Sequence, residues 1–132
     1  MIVDSSAIVA IHEDEPEREA FMELLGGDAR SRMSAATYVE CAIVLDRLPS
    51  VRIESRLDQL LEATGVQVVS LTPEQARVAR EAHQRFGRGS GHPARLNLGD
   101  CFSYALAKSE DEPLLFKGDD FAHTDVKDAT HG

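Results

Sequence analysis

The chain has 132 residues, 42% apolar and 28% charged, with a formal net charge of −9. That length suits one domain spanning residues 1–132 with a single sizeable core, and the composition excludes a disordered chain. The acidity excludes a nucleic-acid binder that relies on overall charge, while leaving room for a local basic patch beside a metal-loaded acidic pocket.

No apolar run reaches bilayer length, and "MIVDSSAIVAI" lacks the basic start and cleavage site of a signal peptide. Cys41 and Cys101 fall in no C-x-x-C and no metal-ligand spacing, so free thiols in a cytoplasmic protein without membrane contact are expected.

In chain order, "MIVD" reads as a short strand, and Ser5 is placed to cap a helix through "SAIVAIHED". "EPEREAFMELLGG" reads as a second helix, with leading acids, an apolar face of Phe21, Leu24 and Leu25, and a terminating Gly pair. "ARSRMS" follows as a strand, with Ser34 capping the helix "AATYVECAIVLDRL", which Pro49 ends. From Val51 to Thr64, Ile53, Leu57, Leu60 and Leu61 stand at helical spacing before Gly65.

"VQVVSL" is β-branched and bounded by turn residues, hence a strand. Thr72, Pro73 and Gln75 open the next helix as N-cap, N1 and N3, and Gly87 closes it. "GRGSGHPAR" reads as a flexible basic loop, Asp100 to Lys108 as a helix and "PLLF" as a strand. "KGDDFAHTD" reads as a turn or short helix and "VKDA" as a last short strand. Alternating strands and helices predict an α/β fold with a mostly parallel central sheet covered on both faces.

In such sheets functional groups gather beyond the carboxyl ends of the strands. Asp4 ends the first strand, Asp100 opens a helix, Asp119 and Asp120 follow "PLLF", and Glu40 sits in the apolar context "TYVECAIVL". Carboxylates sharing one pocket raise one another's pKa values, and a hard cation such as Mg²⁺ or Mn²⁺, which prefers oxygen ligands, resolves the conflict. Each acid also has a plainer reading: Asp4 and Asp100 as helix-start acids, Glu40 on an exposed helix face, one of Asp119 and Asp120 as a solvated turn residue.

Four segments resemble, in order, those of the PIN-domain family, specifically the VapC-type toxin ribonucleases of bacterial toxin–antitoxin pairs. They are "MIVDSSAIVAI", "MSAATYVECAIVL" with Ser34, Thr37 and Glu40 in an S-x-x-T-x-x-E pattern, "LNLGDCFSYALAK", and "PLLFKGDDFAHTDV". The resemblance spans almost the whole chain. It implies a PIN-like α/β/α sandwich whose acids bind Mg²⁺ or Mn²⁺ and cleave RNA, leaving 5′-phosphate and 3′-hydroxyl ends. By the family pattern Asp4, Glu40 and Asp100 are the core ligands, and the fourth acid is Asp120 or Asp119. Ser6 matches a hydroxyl residue near the site, Asn97 ties the Asp100 loop by side-chain hydrogen bonds, and Gly99 gives the backbone room to turn.

The resemblance further implies a homodimer inhibited by a cognate antitoxin, whose Arg or Lys would suit the acidic site. The helices around Phe21–Leu25 and Ile53–Leu61 read either as a groove for a partner helix or as core. Arg85, Arg88, His92 and Arg95 surround the Gly-rich loop and are candidate RNA-backbone contacts. Two rival functions stay open. A phosphatase of the haloacid-dehalogenase type would need a second Asp where Ser6 stands, and a binding module of the same fold would have lost turnover.

Overall fold

The computed structural model describes residues 1–27, 29–48 and 56–131. The chain runs β1 (Ile2–Val3), α1 (Ser5–His12), α2 (Arg18–Leu25), β2 (Ser31–Ser34), α3 (Ala35–Asp46), α4 (Arg56–Thr64), β3 (Val66–Val69), α5 (Pro73–Phe86), α6 (Leu98–Glu110) and β4 (Leu114–Leu115). The four strands form one sheet in the order β3-β2-β1-β4, with every pairing parallel. The chain therefore builds outward from β1 through β2 to β3, then crosses back to place β4 on the other side of β1. That reversal makes the cleft beyond the carboxyl ends of β1 and β4 the topological switch point.

Successive side chains on a strand point to opposite faces, and the two short central strands use this directly. Ile2 and Leu114 enter the core formed with α5 and α6, through Ala79, Ala82, Phe86 and Leu106. Val3 and Leu115 enter the core formed with α1 to α4, through Ile8, Ile11, Phe21, Leu25, Met33, Leu57 and Leu61. The result is the expected α/β/α sandwich. Phe21, Leu25, Leu57 and Leu61 are buried in it as core, while Leu60 of α4 lines an open cleft with Ile11, His12 and Arg18.

Capping signals placed several helices well. Ser34 accepts from Ala36 N–H at the head of α3, and Thr72 accepts from Gln75 N–H at the head of α5. Gly65 takes the left-handed conformation after α4, at φ 73°.

Other boundaries differ from the sequence reading. Asp4, not Ser5, is the N-cap of α1: its extended backbone precedes the first turn, and its carboxylate accepts from Ser6 N–H. The second helix starts at Arg18: the chain passes through the left-handed region at Asp14 (φ 53°) and then makes a separate turn closed by Arg18 N–H to Glu15 O (2.9 Å). The first residues of the helix expected from Val51, Ile53 among them, lie outside the described residues, as does Pro49. α6 begins at Leu98, two residues before Asp100, because Asn97 takes the N-cap position.

The segment "VKDA" forms a single bridge between Asp128 and Leu114 and then a 3₁₀ turn, since the Asp128 carboxylate accepts from Thr130 N–H and curls the chain away. The basic loop after α5 is closed at its base by Arg88 N–H to Leu96 O (3.0 Å) and Leu96 N–H to Phe86 O (2.9 Å). Among the described residues no helix is long and apolar enough to cross a membrane.

Candidate active site

Asp4 is the first residue beyond β1 and is 2% exposed. An unpaired carboxylate at that depth would cost several kcal/mol, and three donors offset the burial. One oxygen, Oδ2, accepts from Ser6 N–H (3.0 Å) and from Ser6 Oγ (2.6 Å). The other, Oδ1, accepts from Ser103 Oγ on α6. Ser6 Oγ also accepts from Lys117 N–H at 3.0 Å, so the segment after β4 is fastened to the head of α1. The Lys117 ammonium pairs with Glu15 and Glu17 in the α1–α2 connection.

Glu40 lies on α3, half-buried, and its Oε1 accepts from Ser5 Oγ at 2.9 Å. Its carboxylate rests on the backbone of Gly99, where an added Cβ would stand 1.6 Å from Oε2. Gly99 is a helical residue within α6 and has no positive φ. Its role is therefore to leave space for Glu40, and the turn expected of it is not made there.

Asp100 is the N3 residue of α6. It completes a reciprocal capping box with Asn97: Asp100 N–H donates to Asn97 Oδ1 (2.9 Å), and Asn97 N–H donates to Asp100 Oδ2 (3.0 Å).

Burial pushes the Asp100 carboxyl up to about 7; the Asn97 N–H works against that shift, and the charges of Asp4, Asp120 and Glu40 add to it. Glu40 is raised as well, chiefly by burial and further by Asp4, with the Ser5 hydroxyl opposing. These mutual effects bring Asp4, Glu40, Asp100 and Asp120 into one electrostatic neighbourhood. Asp119 is exposed beside Asp120 and does not figure among the charges acting on Asp100. The adjacent thiols are free and buried. Burial pushes Cys41 up to about 12 and Cys101 up to about 11, so neither is poised as a nucleophile.

The donor set is hard oxygen throughout, and its raised carboxyls are the condition that a divalent cation relieves. The side chains are not closed around a point. Among the described residues no three His, Cys, Asp or Glu side chains stand close enough to hold an ion. Asp4 is fixed, whereas Glu40 and Asp100 are each only partly buried, and an open arrangement of this kind suits an ion that keeps several waters.

Beside the acids, Arg88, Gly89, Arg95 and Asp120 line an open cleft of about 560 Å³. Arg88 and Arg95 are exposed there. Arg85 is placed elsewhere: its guanidinium lies 4.6 Å from the Phe86 ring centroid and 3.9 Å from Asp125. His92 packs edge-on against Phe86 and accepts from Ala94 N–H through Nδ1, which makes it a brace of the loop. Sequence reasoning passed over Ser103 and Lys117. Ser103 had a readable signal, a small hydroxyl inside the otherwise largely apolar stretch "CFSYALA" of α6, three residues beyond Asp100.

Comparison with known proteins agrees with this geometry. The family described as PIN domain matches residues 1–127. Ribonuclease VapC42 of Mycobacterium tuberculosis is 52% identical over 129 residues, covering 98% of each chain. Ribonuclease VapC28 of the same organism is 53% identical over 129 residues, covering 98% of this chain and 97% of that one. Among solved structures, Mycobacterium tuberculosis VapC20, titled a Sarcin-Ricin loop cleaving toxin, superposes with a TM-score of 0.73 at 18% identity, covering 95% of both chains. A toxin–antitoxin complex from Klebsiella pneumoniae gives a TM-score of 0.68 at 16% identity over 92% of this chain and 89% of that one.

Proposed function

Since the chain belongs to the PIN-domain family, we propose that it is a metal-dependent endoribonuclease, the toxin of a toxin–antitoxin pair, hydrolysing RNA phosphodiester bonds. One observation carries the reading. Asp4, Glu40 and Asp100, from three separate elements, converge at the switch point of the sheet with two of their carboxyls raised by burial and by one another. The ribonuclease names of relatives at 52% and 53% identity support the substrate class.

In this reading Asp4, Glu40 and Asp100 hold Mg²⁺ or Mn²⁺, with Asp120 as the fourth acid. The ion supplies positive charge to a scissile phosphate and lowers the pKa of a water. Ser6 and Ser5 orient the carboxylates of Asp4 and Glu40 through the hydrogen bonds they donate. Asn97 holds Asp100 at the first turn of α6. Arg88 and Arg95 take phosphates flanking the scissile bond along the cleft they line with Asp120. Arg85, tied to Asp125 and Phe86, is left out of that contact.

The partner is a cognate antitoxin presenting Arg or Lys to the acids, a reading supported by the toxin–antitoxin complex among the structural neighbours. A homodimer is supported by exposed apolar side chains near the site, Val39 (54%) and Ile43 (46%) one turn apart on α3 and Leu98 (70%) at the head of α6. Buried free thiols support the cytoplasm as the compartment.

The test is the partner-free protein incubated in parallel with RNA and with a phosphomonoester, in Mg²⁺, Mn²⁺ or EDTA. The expected result is RNA cleavage that EDTA abolishes. Turnover of the phosphomonoester alone would assign the site to a phosphatase, and no turnover of either would assign the chain to binding.

A further inference from the structure

Behind Asp4 stand two buried hydroxyls that the proposed chemistry does not use. Ser103 is 1% exposed and Thr37 0%, and their oxygens lie 3.2 Å apart. A hydroxyl carries one proton and a carboxylate only accepts. Ser103 stands within hydrogen-bonding distance of Asp4 Oδ1, so its proton is committed to Asp4. Thr37 is then the donor to Ser103. Hydrogen bonding runs one way, from Thr37 to Ser103 to Asp4 Oδ1. The same proton count runs Lys117 N–H to Ser6 to Asp4 Oδ2 on the other side.

The spacing gives this relay a second consequence. Thr37 precedes Glu40 by three residues on α3, and Ser103 follows Asp100 by three on α6. Residues three apart share a helix face. The two helices therefore meet at two neighbouring points, Thr37 against Ser103 and Glu40 against Gly99.

We propose that Thr37 and Ser103 are positioning residues for the acidic site. They fix which lone pairs Asp4 leaves open to a divalent cation, and they hold α3 and α6 in the register that seats Glu40 against Gly99, next to Asp100. The inference rests on the reading that Asp4, Glu40 and Asp100 bind such an ion.

The experiment separates hydroxyl from packing by paired substitutions, read as Mn²⁺ affinity of the RNA-free, partner-free protein by calorimetry, with thermal melts as the check on folding. Thr37→Val keeps the volume and removes the donor, whereas Thr37→Ser keeps the donor and removes a methyl group. The expected result is Mn²⁺ binding weakened about tenfold in Thr37→Val and in Ser103→Ala, as for other groups that orient metal ligands. Wild-type affinity is expected in Thr37→Ser. A Thr37→Val, Ser103→Ala double variant should be no weaker than Ser103→Ala alone, because Thr37 acts through Ser103.

If Thr37→Val fails to fold, Ser103→Ala carries the same comparison. Wild-type Mn²⁺ affinity in Ser103→Ala, or equal weakening in Thr37→Ser and Thr37→Val, overturns the relay while leaving the metal site standing. Absence of Mn²⁺ binding by the wild-type protein overturns the metal reading, and the relay with it.

Discussion

The carboxylate of Glu40 lies on the bare backbone of Gly99, so close that a methyl group at that position would stand 1.6 Å from Oε2 and 2.2 Å from Cδ. An acid on α3 is thus seated against the first turn of α6, next to Asp100. The absence of one side chain makes the seat.

Gly99→Ala tests that seat. The atoms in the way belong to the end of a flexible side chain, so Glu40 can swing aside and the fold should survive. Alanine also favours the helix over glycine by up to about 1 kcal/mol. The expected outcome is an unchanged or higher melting temperature with RNA cleavage reduced to the level of Glu40→Gln. Wild-type cleavage in a folded Gly99→Ala protein would remove Glu40's placement from the mechanism.

Asp100→Asn separates charge from capping. Asparagine retains an oxygen that can accept from Asn97 N–H, so the capping box stays closed. Loss of one ligand charge to a divalent cation should lower cleavage by about 100-fold or more, a barrier change of a few kcal/mol. Circular dichroism and melting should match or exceed the wild type. Near-normal cleavage would strike Asp100 from the ligand set.

How far the site was legible follows from the range of the signals. Ser34, Thr72 and Asn97 act on N–H groups two or three residues away, and their roles can be read from a short window of sequence. Asp4 and Ser5 are adjacent cap-competent residues, and only the backbone decides between them. The contacts that assemble the site bridge far greater separations, 99 residues from Asp4 to Ser103 and 111 from Ser6 to Lys117. No local pattern encodes those pairings. They are set by β1 and β4, each two residues long, whose parallel pairing is decided by packing on both faces of the sheet. Gly99 was visible as a glycine, but its function depends on a side chain from another helix.

The pH dependence of stability carries the electrostatics of the site. Asp100 is raised from its ordinary 3.8 to about 7. Between those values the folded chain binds more protons than the unfolded one, so stability falls as pH rises through that window. Asp111, held low by its hydrogen bond and charge interaction with Lys127, works in the opposite sense and titrates below the window. In EDTA, the melting temperature should therefore decline from about pH 5 to pH 7. Added Mg²⁺ should raise it by an increment that grows with pH, because the ion binds the deprotonated acids of the folded state. An increment independent of pH, or none, would contradict the shared-pocket account.

The basic cleft makes a prediction about salt. Replacing Arg88 or Arg95 by Glu should weaken RNA binding and reduce the slope of log affinity against log salt by about 1 for each phosphate that is no longer neutralised. Arg85→Glu should leave the slope unchanged, since Arg85 stacks on Phe86 and faces Asp125. Equal effects at the three positions would mean that general charge, and not the cleft, draws the RNA.

Cleavage of RNA by the wild-type protein and by Asp4→Asn, side by side in Mg²⁺ and in EDTA with the ends of the products mapped, tests the central claim most directly. Asp4 is the buried acid on which Ser6, Ser103 and the end of β1 converge. The account predicts cleavage only by the wild type in Mg²⁺, with 5′-phosphate and 3′-hydroxyl ends and with Asp4→Asn folded but inactive. Cleavage that persists in EDTA, or in folded Asp4→Asn, would contradict it.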